Sequence, residues 1–299
     1  MQGVYAAALT PRRRGLDEID QGAVWDLIDF LCGAKVDGIV LFGSTGEFVH
    51  FAVEERTRVI GLACKRSRVP VAVNVSHSTL DGAVKLAQAA AGSGAKSLVL
   101  MPPYFFRYDQ DSLLAFYRRF LAEVDVRIPV LLYHIPFFTN PLSPETIKVL
   151  LSEGYAGIKD SSGDWENYLY LRDLSRETPF TLMMGSDGLY ARAFQEGPVN
   201  GVISGVASAV PELLVALNKA LLQDASETVA KLDGRLTEFI GWLDKFPVPG
   251  GVREAALNRR LKMGGHAAPM SPAQEAAREE FGEWFKEWLP VVLKECAQG

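Results

Sequence analysis

Eight short apolar runs are spaced along the first two-thirds of the chain, and segments of a different period lie between them. The runs are GVYAAALT (3–10), DGIVLFGS (37–44), PVAVNVSH (70–77), SLVLMPP (97–103), PVLLYHIP (129–136), YAGIKDS (155–161), FTLMMGS (180–186) and GVISGVAS (201–208). Runs of this length, rich in Val, Ile and Leu and bounded by Gly, Pro and Ser, suit strands buried on both faces. Helical period fills the gaps. Val24, Leu27, Ile28 and Leu31 share one face of their segment, as do Leu113, Phe116, Tyr117, Phe120 and Val124 of theirs. Alternating strands and helices require a parallel sheet with right-handed crossovers. Eight such units, each about 20–35 residues, predict an α/β chain folded as a (β/α)8 TIM barrel. An open doubly wound sheet would also satisfy the alternation, although it rarely needs eight units.

After about residue 209 the strand pattern stops and four helical segments follow, PELLVALNKALLQ, ASETVAKLDGRLTEFIGWLDKF, GVREAALNRRLKM and SPAQEAAREEFGEWFKEWLPVVLKECA. The first serves as the barrel's eighth helix. The expected organisation is therefore a catalytic barrel over residues 1–225 and a three-helix extension over 226–299, with FPVPGG (246–251) and GGHAAPMSP (264–272) as breaks.

A chain of 299 residues with 48% hydrophobic and 22% charged residues has enough apolar side chains for one large core. Its net charge is −5 and its charges are interspersed, unlike the clustered basic face that nucleic acid needs. The one basic run, Arg12 to Arg14, reads as a solvated loop. Cys32, Cys64 and Cys296 are far apart with no CxxC pair, so neither a disulfide framework nor a zinc site is expected. Cys32 and Cys64 lie in apolar helical patterns and read as core residues. No basic stretch precedes the apolar opening MQGVYAAALTPRRRG, and no run approaches the roughly 18 apolar residues of a membrane span. A cytoplasmic protein without membrane or nucleic-acid partners is expected.

In a barrel of this kind chemistry sits at the C-terminal ends of the strands. The second run ends in LFGSTGEF, where Gly43 and Gly46 bracket Ser44 and Thr45. Such a turn offers backbone N–H groups and two hydroxyls to a small anion such as a carboxylate. A plain strand-to-helix turn capped by Ser or Thr fits the same residues. Tyr133 closes the fifth run, either as a proton donor and acceptor at the barrel mouth or as a core aromatic. His134 points to the opposite face by strand alternation and receives no catalytic role. Lys159 ends the sixth run. A charge facing the helices would be costly, so the amine is expected to point into the mouth, where desolvation favours the neutral, nucleophilic form. A salt bridge to Asp160, Asp187 or Glu47 is the structural alternative. An anion cradle, a tyrosine and a lysine converging on one pocket match the needs of a 2-keto acid: a carboxylate clamp, a proton shuttle and a Schiff-base amine.

The residues GSTGE, YHIP and GIKDSSGD, in this order and spacing, resemble the motifs of the dihydrodipicolinate synthase / N-acetylneuraminate lyase family of class I aldolases. The resemblance spans essentially the whole chain. It implies that Lys159 forms an imine with the keto carbon of pyruvate or a related substrate, and that Tyr133 relays protons. It further implies that Ser44, Thr45 and the backbone there, Gly46 included, hold the carboxylate, and that Gly185 and Ile203 line the keto-acid site. The imine is the electron sink, so neither a metal nor a separate cofactor is implied. The implied partners are a small keto acid and an aldehyde. The family also implies a homotetramer built as a dimer of dimers. The aromatic segment 104–108 and Trp242, Trp284 and Trp288 are candidate contact surfaces, and a buried C-terminal core accounts for the tryptophans equally well.

Departures from the family pattern bear on the substrate. True synthases follow YxxP with Ser-Arg, the arginine holding the semialdehyde carboxylate; this chain has Phe137 and Phe138. The synthases also carry a second tyrosine where this chain has Phe105, after Tyr104; Tyr108 is a nearby substitute. Neuraminate lyases carry an acidic pair where this chain has Asp187 and Gly188. Ser161, Ser162 and Asp187 suit a hydroxylated aldehyde tail, whereas Phe137 and Phe138 suit an apolar one. The leading expectation is a Schiff-base aldolase or lyase, a dehydratase included, acting on a 2-keto or 2-keto-3-deoxy acid. A dihydrodipicolinate synthase with an altered acceptor site and a catalytically silent keto-acid binder are the alternatives.

Overall fold

The eight apolar runs form eight short strands: β1 (Gly3–Ala7), β2 (Gly38–Leu41), β3 (Val71–Asn74), β4 (Ser97–Leu100), β5 (Val130–His134), β6 (Gly157–Asp160), β7 (Thr181–Met184) and β8 (Gly201–Ser204). In the computed structural model, which describes residues 1–13, 18–124 and 127–298, they pair in parallel, in sequence order, and close through β8 and β1. The molecule is the (β/α)8 barrel that the pattern predicts. Nearly every strand residue is buried, since helices cover one face and the packed interior the other. The strands are shorter than the apolar runs. Pairing ends where the chain reaches the mouth, and the rest of each run becomes loop. Ser44 to Gly46 are therefore loop residues beyond β2.

Eight helices alternate with the strands: α1 (Gln21–Gly33), α2 (Val53–Arg66), α3 (Leu80–Gly92), α4 (Gln110–Glu123), α5 (Pro144–Ser152), α6 (Trp165–Glu177), α7 (Tyr190–Glu196) and α8 (Pro211–Leu222). Side chains that accept from a backbone N–H start several of them, namely Asp20, Thr79, Asp109, Ser143 and Asp164. Each satisfies an amide that the first turn leaves without a partner. The face predicted for α1 is the buried one.

Three further helices follow: α9 (Ser226–Leu243), α10 (Gly250–Asn258) and α11 (Pro272–Gln298). An aromatic cluster joins α9 and α11. Phe239 stacks on Trp288, Phe281 stacks on Phe285, and Trp284 stacks on Trp288. Trp242 packs on Phe281 and Trp284. An internal core therefore accounts for the three tryptophans. α10 ends earlier than its periodicity predicts, at Asn258, and Arg260 just beyond takes a left-handed backbone (φ 63°). Among the described residues no helix is long and apolar enough to cross a membrane.

Arg12 corrects the solvated-loop expectation. It is buried, its guanidinium lying 4.7 Å from the Phe51 ring centroid and 3.5 Å from Glu47 Oε1. Arg13 is exposed and pairs with Glu18, and Arg14 lies outside the described residues. The cysteines are free and half-buried. Burial pushes the Cys64 thiol up to about 11 and that of Cys296 up to about 12, which keeps both from acting as thiolates.

Candidate active site

Lys159 and Tyr133 are register partners on β6 and β5. The lysine is 3% exposed, and its Nζ stands 3.9 Å from the centroid of the tyrosine ring. Tyr133 is buried, and its hydroxyl lies 3.0 Å from Ser44 Oγ. Burial alone would raise the phenol. The Lys159 charge outweighs it together with hydrogen bonds from Ser44, Lys159 and Ser161, so the phenol titrates below its ordinary value of 10.0. A tyrosine held this way gives up its proton more readily than a free phenol does.

The salt-bridge alternatives for Lys159 fall away. Glu47 is bound by Arg12 and Arg253, and Asp160 by His134 at 3.1 Å. Among the described residues no carboxylate stands within ion-pair distance of the amine. His134 sits on the far side of β5 from the phenol, as alternation predicts, and its bond to Asp160 ties β5 to β6 one residue past the Tyr133–Lys159 pair.

These two side chains open into a cavity of about 420 Å³ at the strand ends. Ser44, Thr45, Tyr133, Lys159, Ser161 and Gly185 line its floor, with Asp187, Ile203 and Phe138 around it. Of the residues expected to hold the keto acid, Gly46 is the exception. It packs beneath the loop, where a Cβ would lie 2.9 Å from the Ala8 carbonyl oxygen, and the cavity does not reach it. The turn is also not a helix start. It leads into a 3₁₀ turn (Phe48–His50), and α2 begins only at Val53. Ser44 and Thr45 therefore cap nothing: Ser44 meets the phenol, and Thr45 faces Gly205. Gly185 is required by space, because a Cβ there would meet Ser161 Oγ at 1.9 Å and Lys159 Cε at 3.0 Å.

Asp187 presents an acceptor. Its Oδ2 receives the Val206 N–H at 3.3 Å, while its Oδ1 is shut off from solvent with no hydrogen-bond partner. Burial raises this carboxyl above 3.8, opposed by hydrogen bonds from Ser204, Val206 and Gly205 and by the Lys159 charge. Ser162 is absent from the cavity: its hydroxyl donates to Asp160 and its Oγ accepts from Asp164. Tyr108 does not line the cavity either, whereas Tyr104 packs on Phe48 beside a neighbouring apolar pocket of about 210 Å³.

Residues that the sequence pattern did not single out form a further part of the wall. Leu243, Asp244, Pro247, Val248, Pro249, Gly251 and Val252 reach the cavity from the end of α9 and the start of α10. The FPVPGG break that separates these helices in the sequence was the available signal.

The family model described as the dihydrodipicolinate synthetase family matches residues 1–288. The chain belongs to this family. Its relatives are synthases and aldolases, so the chain is a member of a family of lyases. A 4-hydroxy-tetrahydrodipicolinate synthase of Methanosarcina mazei is 30% identical over 279 residues, 92% of this chain and 94% of the relative. A solved 2-keto 3-deoxygluconate aldolase from Picrophilus torridus superposes with a TM-score of 0.83 at 27% identity, covering 89% of this chain and 96% of the other. A sialic acid aldolase of Ruminococcus gnavus has a TM-score of 0.87 at 19% identity over 98% of this chain and 99% of its own, a likeness of fold. The chain is thus similar both to a synthase and to an aldolase.

Proposed function

We propose that the chain is a Schiff-base-forming lyase that makes or breaks a carbon–carbon bond next to the keto group of pyruvate or a 2-keto-3-deoxy acid. The supporting observation is the buried Lys159 amine held beside a Tyr133 phenol whose proton affinity is lowered. The neutral amine adds to the keto carbon, and a proton passes to the carbonyl oxygen to give the carbinolamine. Loss of water leaves the protonated imine. In the synthetic direction the adjacent carbon then loses a proton, and the electron pair enters the C–N π system as an enamine. The enamine adds to an aldehyde carbon, whose oxygen takes up a proton, and water returns to release Lys159. Cleavage is the reverse. Tyr133 is the proton carrier for these steps, with Ser44 as its hydrogen-bonded partner. Thr45 and the loop amides hold the carboxylate. The imine nitrogen serves as electron sink, so the reading needs no further cofactor.

The charge of the cavity favours a neutral aldehyde. Among the described residues lining it, Lys159 is the one cation, and the imine uses it; the acids are Asp187 and Asp244. A semialdehyde carrying its own carboxylate would meet no counter-charge there. Asp187 lines the cavity and suits a hydroxyl of the aldehyde portion, and Phe138 suits an apolar face of it. The test is a comparison of pyruvate turnover with aspartate semialdehyde and with neutral hydroxyaldehydes. Turnover at least about tenfold higher in kcat/KM with a neutral aldehyde supports the reading. Preference for aspartate semialdehyde would make the chain a dihydrodipicolinate synthase instead.

The enzyme is proposed to work in the cytoplasm as a homotetramer. Phe105 and Phe106, 86% and 66% exposed, support a self-contact at this segment, since paired exposed rings mark interfaces.

A further inference from the structure

Among the described residues, the most deeply buried ion pair bridging the barrel and the C-terminal helices joins Glu47 to Arg253, 206 residues apart, at 7% and 1% exposure. Glu47 directly follows the Ser44–Gly46 turn and holds a left-handed backbone (φ 51°), uncommon for a residue with a side chain. Its Oε2 receives the Arg253 guanidinium, and its Oε1 lies 3.5 Å from Arg12 and 3.6 Å from His50 Nδ1. Arg253 also donates to the carbonyls of Met263 (2.6 Å) and Thr10 (3.1 Å). Thr10 in turn donates from its hydroxyl to the Gly46 carbonyl at 2.6 Å. On the other side of the turn, Asn74 donates to the Phe42 carbonyl at 2.7 Å. Burial lowers Arg253 from its ordinary value against the Glu47 charge, so the guanidinium is expensive to keep there without that partner.

Arg253 lies next to Val252, which lines the cavity, while Glu47 lies two residues past Thr45, which lines the same cavity. A single ion pair therefore spans from the wall that the C-terminal helices supply to the turn that holds Ser44 and Thr45. We infer that Glu47 and Arg253 are positioning residues: they lock the carboxylate-binding turn against α10 and so set the affinity of the site for its keto acid. The inference rests on the proposed keto-acid reaction. It makes the C-terminal helices part of the active site.

The experiment measures the rate at which borohydride traps pyruvate on the full-length chain, as a function of pyruvate concentration, in wild type, Arg253→Met, Arg253→Lys, Glu47→Gln and the Glu47→Gln/Arg253→Met double variant. Thermal melts of each establish a temperature at which all are folded. Displacement of a binding group by about 1 Å costs up to about 100-fold, so half-saturation is expected to rise at least about tenfold in Arg253→Met, with the limiting trapping rate within about threefold of wild type. Arg253→Lys recovers part of the loss. The double variant is little worse than either single one, because the pair acts as a unit. Unchanged half-saturation in the folded variants, even with lowered melting temperatures, would overturn the inference and leave the pair a purely structural one. So would additive effects in the double variant. If wild type itself traps no keto acid, the proposed function fails instead, and this inference with it.

Discussion

Tyr133 and Lys159 stand opposite one another on adjacent strands, amine over ring at 3.9 Å, with Ser44 on the phenol oxygen. Everything in the proposed chemistry passes through this pair. β5 and β6 fix the spacing by backbone register, and the His134–Asp160 bond holds the same two strands one step further on.

Tyr133→Phe keeps the ring under the amine and removes the proton carrier. A positioned proton donor contributes about 100- to 10,000-fold. The variant is expected to lose kcat in that range while KM moves far less, measured with pyruvate and the best aldehyde. A loss confined to KM would show that the phenol only binds.

Asp187 gives the chain a pH-dependent stability. Its carboxyl holds a proton more tightly folded than unfolded, because burial raises it above 3.8. The stability that this confers is fully present below that value and is lost as pH rises through the raised one. Asp187→Asn carries no titrating carboxyl and has no such loss. The variant should match wild type in melting temperature near pH 4 and exceed it at pH 7. An advantage that does not change with pH would contradict the burial argument.

Much of this was legible in the sequence. The barrel followed from strands apolar on both faces, and the inward placement of Lys159 followed from the cost of a charge facing the helices. What was not legible depended on partners far away in the chain. Arg12 stands in a basic triplet and reads as solvated, because nothing nearby announces that Glu47 and Phe51 enclose it. Gly46 reads as part of an anion cradle, but close packing against Ala8 is what its missing side chain allows. Ser162 reads like its neighbour Ser161, and one residue of alternation turns it onto Asp160 and away from the cavity. The Pro247–Pro249 wall read as a break between helices because only tertiary packing brings it over the barrel mouth.

Phe138 stands at the cavity edge, 56% exposed, where a charge can be kept hydrated. Phe138→Arg supplies a cation besides Lys159, which the imine uses. The ratio of kcat/KM for aspartate semialdehyde over a neutral aldehyde is expected to rise about tenfold, the scale of one added charge-assisted hydrogen bond. An unchanged ratio would mean that charge at this edge does not select the aldehyde.

Phe105→Asp tests the proposed assembly. A charge in an apolar self-contact leaves a buried carboxylate unpaired in every copy. Sedimentation velocity should show a tetramer for wild type and smaller species for the variant at equal concentration. A tetramer unaffected by the substitution would move the interface elsewhere.

The most direct test is borohydride reduction in the presence of pyruvate, followed by intact-protein and peptide mass spectrometry. The account predicts one reduced pyruvate adduct per chain, on Lys159, and none in Lys159→Ala. Folded wild-type protein that carries no adduct at saturating pyruvate, or that carries it on another lysine, would contradict it.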